Sequence, residues 1–372
     1  MKILVLNWQD IKNPLAGGAE VHLHEIFRRI AGRGNSVTLF CCASEGLPSE
    51  EILDGIQIIR RGNRNLFNAV VPYYYRTRLS RRGYDVVVDD INKIPFYTPL
   101  YVRPPILAMV LHLFGTTIFR EATPPAALYV YGAERLALSV YRKTTMAVIS
   151  ESTRQELVSH GFSRERIHDV RIAVDHALYR QVDVPRPDAP QVGYLGRIKK
   201  YKSVDHLLNA FSIVHQEIPG ARLVVIGDGD ALPSLRKHAS TLGLSHAVRF
   251  TGYLPGSETV RLLNQMNVVV NTSAKEGWGL TVTESNACGV PVIASDVPGL
   301  RDSVLDEKTG LLYEYGNIEQ LAQKILLVLR DGIFRDRLAA GALAFARTFS
   351  WNECASLMMG AIESAVDGSK SG

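Results

Sequence analysis

Short apolar runs alternate with amphipathic segments from one end of the chain to the other, and this alternation restricts the fold more than any other feature. KILVLN, NSVTLFC, IQIIR, YDVVVD, ILAMVL and TTMAVIS have the length and β-branched content of buried strands. AEVHLHEIFRRIAGRG and ISESTRQELVSHG carry apolar residues at helical spacing, with a cap at Ile149-Ser150-Glu151-Ser152 and a stop at Gly161 for the second. Apolar strands separated by helices predict a mostly parallel sheet covered on both faces. The pattern restarts after VDVPRPDAPQ, residues 182–191, whose three prolines read as a linker. QVGYLG, ARLVVIG, AVRFTG, NVVVNTS and PVIAS then alternate with further helices. The prediction is an α/β chain of two doubly wound domains, 1–185 and 190–350, followed by a terminal helix over 351–372. Two such units in tandem leave a cleft at the carboxyl ends of their strands, where ligands bind.

A length of 372 residues suffices for two cores, and 46% hydrophobic with 21% charged residues is the balance of a soluble globular protein. The start, MKILVLNW, reads as a buried strand rather than a signal peptide, and no apolar run reaches membrane-spanning length. Any membrane contact is therefore expected to be peripheral. Cys41, Cys42, Cys288 and Cys354 show no paired spacing, which fits buried thiols in the reducing cytoplasm. The net charge of +5 falls within residues 1–190. There, residues 60–83 interleave seven arginines with Phe67, Tyr73, Tyr74 and Tyr75. That mixture suits an anionic membrane surface or a lipid-diphosphate acceptor, and equally an amphipathic helix whose aromatics join the core. The chain carries no established nucleic-acid motif, so nucleic acid is not an expected partner.

Chemistry concentrates in the second half. Gly196-Arg197 closes the strand QVGYLG and Lys202 follows five residues later. A guanidinium that binds two oxygens at once and a mobile ammonium suit a diphosphate, although Lys199 and Lys200 between them also fit a solvated basic turn. In KEGWGLTVTESNACG, residues 275–289, Gly277 and Gly279 permit a tight turn around Trp278, and Leu280-Thr281 opens a helix whose free N–H groups attract anions. Glu284, one turn in, cannot serve phosphate because like charges repel, and it suits the two hydroxyls of a ribose. Glu276, before the turn, reaches the far side of a diphosphate, where a transferred sugar would lie. The plainer readings are a favourable first-turn charge for Glu284 and a surface acid for Glu276.

Taken together, E-x7-E with a following A-x-G-x-P-V-I-A segment, preceded by GR-x4-K and GDG, resembles the retaining GT-B glycosyltransferases of family 4 from Met1 to about Phe349. The resemblance implies two Rossmann-like domains, a terminal helix crossing back onto the first, and a nucleotide-sugar donor used without metal or cofactor. It places Arg197 and Lys202 on the donor diphosphate, Glu284 on ribose, Glu276 on the donor sugar, and the backbone of Gly252-Tyr253-Leu254 on the base. Gly17 and Gly18 match its GG-x-E signature, and His112 its histidine beside the reacting centre. Ser203, Asp230 and Trp278 stand where the family has glycine, proline and phenylalanine. The first two departures bear on loop stiffness and the indole on the donor-sugar pocket.

Asp89, Asp90, Asn92 and Lys93 follow a strand and are either acceptor-side groups or loop braces. His22 and His24 point to different faces of one helix and make no metal pair. The activity this implies is transfer of a sugar, UDP-linked by family frequency or GDP-linked, to a hydroxyl with retained anomeric configuration, in cell-envelope glycan, polysaccharide or glycolipid synthesis. A glycoside hydrolase, a phosphorylase, a nucleotide-sugar epimerase and a catalytically silent nucleotide-sugar-binding protein are the rival readings.

Overall fold

The computed structural model describes residues 1–91, 94–120 and 122–370. The chain forms two compact units, residues 1–172 with 351 onward, and residues 173–350. The division falls at Ile172/Ala173, ahead of the proline-rich segment expected to be the linker. That segment belongs to the second unit because Asn264 Oδ1 accepts from the Val182 N–H at 3.0 Å and Gln265 Nε2 donates to the Pro185 carbonyl at 3.0 Å.

The first unit contains strands β1 (Lys2–Leu6), β2 (Ser36–Cys41), β3 (Glu50–Leu53), β4 (Ile56–Arg60), β5 (Val86–Ile91), β6 (Ile106–Val110), β7 (Thr145–Val148) and β8 (Ile167–Asp169). Its helices are α1 (Gly18–Gly32), α2 (Phe67–Thr77), α3 (Pro124–Val140) and α4 (Glu151–Ser159). The sheet order is β3-β4-β2-β1-β5-β6-β7-β8, parallel except for the β3–β4 hairpin. That hairpin was not read from the sequence, although its turn, Asp54-Gly55, is a usual hairpin pair and both residues take positive φ. Ser150 caps α4 by accepting from the Thr153 N–H at 3.2 Å. The terminal helix, Trp351–Lys370, packs on α1 through Arg29–Asn352 and Arg33–Ser356 hydrogen bonds.

The second unit contains β9 (Gln191–Leu195), β10 (Arg222–Ile226), β11 (Val248–Gly252), β12 (Val268–Asn271), β13 (Val292–Ser295) and β14 (Gly310–Tyr313). Its helices are α5 (Val204–Glu217), α6 (Leu232–Thr241), α7 (Gly256–Leu263), α8 (Leu280–Ala287), α9 (Leu300–Ser303), α10 (Ile318–Arg330) and α11 (Gly332–Ala346), which makes the terminal helix α12. The strands pair in parallel in the order β11-β10-β9-β12-β13-β14. The chain thus starts mid-sheet at β9, builds outward to β11, then returns to lay β12 on the other side of β9. The loops leaving β9 and β12 therefore emerge side by side from neighbouring strands at the switch point of the sheet. GR-x4-K follows β9 and the Glu276 turn follows β12, so topology alone brings the two motifs together.

Candidate active site

In the second unit, three loops are stitched by their backbones. The Gly196 N–H donates to the Ile226 carbonyl at 3.0 Å, Ile198 N–H to Asp228 at 2.8 Å, and Gly227 N–H to Gly252 at 3.0 Å. Gly227 has φ +136°, and a Cβ there would sit 1.9 Å from the Gly196 carbonyl oxygen; at Gly229 it would sit 2.1 Å from that of Ile198. GDG is therefore a packing requirement of the arginine loop as well as a motif. Arg197 stands exposed above this platform, its carbonyl accepting from the Tyr194 hydroxyl at 3.0 Å.

The departures from the family pattern in these loops are partnered. Ser203 occupies the left-handed region (φ 49°), where glycine is usual, and its Oγ lies 2.9 Å from the Tyr315 hydroxyl. Asp230 pairs with Lys199 at 2.8 Å.

The loop after β12 is tied to the Lys202 loop. Thr272 Oγ1 donates to the Lys202 carbonyl at 2.8 Å and the Ala274 N–H to the Tyr201 carbonyl at 2.9 Å. The Lys202 ammonium donates to Glu276 Oε1, which also accepts from Ser273 Oγ at 2.7 Å. Burial disfavours the lysine's charge, but the Glu276 carboxylate more than offsets it and raises the lysine's pKa. Gly299 packs under this turn so closely that a Cβ would lie 2.2 Å from the Glu276 carbonyl oxygen. Gly279 (φ 89°) then turns the chain into α8, which has neither a side-chain cap nor an acid in its first turn. The N–H groups at Leu280 and Thr281 thus present the positive end of a helix.

Trp278 departs from expectation. Its indole is buried, donates to Thr283 Oγ1 at 2.9 Å and packs edge-on against Phe349, with ring centroids 5.3 Å apart. Its aromatic bulk belongs to the core, where Thr283 and Phe349 hold it.

Glu284 is half-buried, with Tyr179 near it. Burial raises the Glu284 carboxyl to about 7, and Tyr179 opposes that rise. Sequence reasoning missed Tyr179, which lies before the proline-rich segment with no motif around it. It also missed Ser273, one short turn ahead of Glu276. Gly252 (φ 73°) uses its carbonyl to hold Gly227, Tyr253 is 81% exposed, and Leu254 packs half-buried against the core.

In the first unit, the Gly17 N–H is taken by Glu20 Oε2 at 2.7 Å, which leaves Gly18 rather than the pair to meet a ligand. His112 follows β6, half-buried, with its ring centroid 4.5 Å from that of Phe114. Asp89 is a brace: its Oδ2 accepts from Thr98 Oγ1 and the Tyr141 hydroxyl, both at 2.5 Å. Asp90 is buried, and burial first, then Glu20 and Asp89, pushes its carboxyl well up. Asn92 and Lys93 lie outside the described residues. His24 bonds Asp54 at 2.8 Å while His22 packs against Trp351. Within the basic stripe Arg60 is buried and paired with Asp10 and Glu51, and Phe67 and Tyr75 join the core.

Two doubly wound units of this kind, with cations, a helix end and two acids at the reversal of the second sheet, mark the chain as a glycosyltransferase of the GT-B class. The chain belongs to glycosyltransferase family 4. The Glycosyltransferase Family 4 model matches residues 16–178 and the Glycosyl transferases group 1 model residues 176–344. A Streptosporangium roseum protein named D-inositol 3-phosphate glycosyltransferase is 34% identical, covering 91% of this chain and 86% of its own. One of the same name from Xylanimonas cellulosilytica is 32% identical over 92% and 91%. Among solved structures, sucrose-phosphate synthase from Thermosynechococcus elongatus superposes with TM-score 0.80 at 20% identity over 99% of both chains. Anabaena HepE, in complex with UDP-glucose, gives 0.77 at 20% over 98% and 100%.

Proposed function

We propose that this glycosyltransferase moves a sugar from a UDP-linked donor to a hydroxyl of an anionic saccharide or polyol, with retention and without a metal ion. The observation that carries the reading is the meeting of Lys202 and Glu276 at the sheet reversal, beside Arg197 and the uncapped start of α8. As the bond from sugar to phosphate breaks, the diphosphate gains negative charge and the sugar becomes oxocarbenium-like. Arg197, Lys202 and the Leu280 and Thr281 N–H groups stabilise that diphosphate, the work a divalent ion does elsewhere. Glu276 holds the donor sugar's hydroxyls and Glu284 the ribose. The leaving phosphate oxygen takes the acceptor's proton on the same face, so no protein nucleophile is required.

UDP is favoured because HepE was solved with UDP-glucose, and an anionic acceptor because the curated relatives are named for inositol 3-phosphate. The excess positive charge in residues 1–190 supports the same acceptor class. Cell-envelope glycan or glycolipid synthesis in the cytoplasm remains our assignment of the setting. We further assign α2 to peripheral contact with an anionic membrane, on the exposure of Tyr73 (69%) and Leu66 (60%) among arginines. No described helix is long and apolar enough to cross a membrane.

The test incubates the protein with UDP-sugars, inositol 3-phosphate and lipid-linked saccharides, and reads UDP release and product configuration by NMR. An α-linked product from an α-linked donor is expected. A β-linked product, or no release of UDP with any acceptor, overturns the proposal.

A further inference from the structure

Ser273 belongs to no motif read from the sequence, yet every polar atom it has is engaged inside the second unit. Its N–H donates to Asn271 Oδ1 at 3.1 Å, its carbonyl accepts from Ser295 Oγ at 2.5 Å, and its Oγ donates to Glu276 Oε1 at 2.7 Å. Asn271 ends β12 and Ser295 ends β13, neighbouring strands that pair in parallel. The serine is therefore pinned to the sheet, and the Glu276 carboxylate is pinned to the serine. The backbone of this turn is fixed as well, by the Ala274 N–H on the Tyr201 carbonyl and by Gly299 packed beneath the Glu276 carbonyl. What such a turn leaves free is the glutamate side chain, with its several rotatable bonds.

Two donors meet Glu276 Oε1, the Lys202 ammonium and the Ser273 hydroxyl, and they are not equivalent. The ammonium ends a flexible stem and carries three protons, and in the proposed function it also serves the diphosphate. A hydroxyl carries one proton, and that of Ser273 goes to Glu276. Ser273 is 0% exposed, so it reaches a ligand only through the glutamate. With Oε1 taken by both donors, Oε2 is the oxygen that no hydrogen bond among the described residues engages. We propose that Ser273 is the positioning residue of the donor-sugar subsite. It fixes the Glu276 carboxylate so that Oε2 meets the sugar's hydroxyls, leaves the Lys202 ammonium to the diphosphate, and thereby sets the preference among donor sugars. The inference rests on the assignment of Glu276 to the donor sugar. A carboxylate free to rotate accepts from many hydroxyl arrangements, whereas one held at a single angle accepts best from one.

The experiment measures binding of UDP, UDP-glucose, UDP-galactose and UDP-N-acetylglucosamine by calorimetry to the full chain and to Ser273→Ala, Ser273→Cys and Glu276→Ala. The wild type prefers one sugar conjugate to the others, and Glu276→Ala abolishes that preference. Ser273→Ala keeps UDP affinity within about twofold, lowers affinity for the preferred conjugate about five- to tenfold, and so narrows the preference. Ser273→Cys keeps the shape with a weaker donor, falls between wild type and alanine, and carries the test if the alanine variant does not fold. A wild-type preference in Ser273→Ala, or in Ser273→Cys where only that variant folds, overturns the role of Ser273 alone. An equal loss for UDP and every conjugate marks a merely structural serine and overturns it too. An undiminished preference in Glu276→Ala, a wild type without preference, or no heat with UDP overturns the Glu276 assignment and this inference with it.

Discussion

Lys202 and Glu276, far apart in sequence, are bound to each other: the ammonium donates to the carboxylate oxygen that Ser273 Oγ also holds at 2.7 Å. Their side chains are only 15% and 14% exposed. Lysine and glutamate therefore satisfy each other's charge where the two loops meet. Lys202→Ala leaves Glu276 buried without its cation, so it lowers stability by about 1–3 kcal/mol as well as transfer. Lys202→Ala/Glu276→Ala recovers part of that stability and none of the activity. Thermal unfolding beside a transfer assay checks both; a double variant less stable than the single one refutes the pairing.

Arg197 separates chemistry from stability more cleanly. It is exposed, so Arg197→Ala leaves the unfolding midpoint within the small change usual for surface substitutions, about 0.5 kcal/mol. It lowers kcat/KM about 10²- to 10³-fold through lost stabilisation of the leaving diphosphate. Turnover near the wild-type value contradicts the role given to it.

Ser203 shows how a departure from a family pattern is accommodated. Its φ of 49° costs about 1 kcal/mol for a residue with a Cβ, and its bond to the Tyr315 hydroxyl returns a similar amount. Ser203→Gly is accordingly near neutral, within about 1 kcal/mol, while Ser203→Val destabilises by about 2 kcal/mol or more because a β-branched side chain tolerates this region worst. Chemical denaturation of the two variants decides it.

Gly227 admits no side chain, since a Cβ would lie 1.9 Å from the Gly196 carbonyl oxygen. Gly227→Ala displaces the arginine loop, with an expected loss of about 3 kcal/mol and of UDP binding together. Retained binding with unaltered stability would show the loops to be independent.

Asp89 gives the first unit a pH signature. Burial raises its carboxyl from the ordinary 3.8 to about 6, with the Thr98 and Tyr141 hydroxyls pulling the other way. Between those values the folded form binds more protons than the unfolded form, so this group makes stability fall as pH rises from about 4 to 6. Asp89→Asn flattens that part of the profile. An unchanged slope in urea titrations across the window would contradict the assignment.

The reading from residues went furthest where a pattern is local. The Ser150 cap and the parallel strands needed only periodicity and neighbouring residues. The meeting of the Lys202 loop with the Glu276 turn is legible because motif spacing and sheet reversal agree on it. The hairpin strand Glu50–Leu53 was lost because two half-exposed glutamates hid its alternation, even with Asp54-Gly55 to announce the turn. Trp278 was placed facing the sugar because it sits among site residues, whereas its direction depends on Thr283 and Phe349, which spacing does not report. Tyr179 is invisible to spacing, since only the fold brings it near Glu284.

The most direct measurement compares UDP with uridine, which lacks the diphosphate, by calorimetry on the wild type and Arg197→Ala. The account predicts that the substitution weakens UDP binding at least about tenfold and leaves uridine binding unchanged. Equal UDP affinity in the two proteins, or an equal loss for uridine, would contradict a site that grips its donor by the diphosphate.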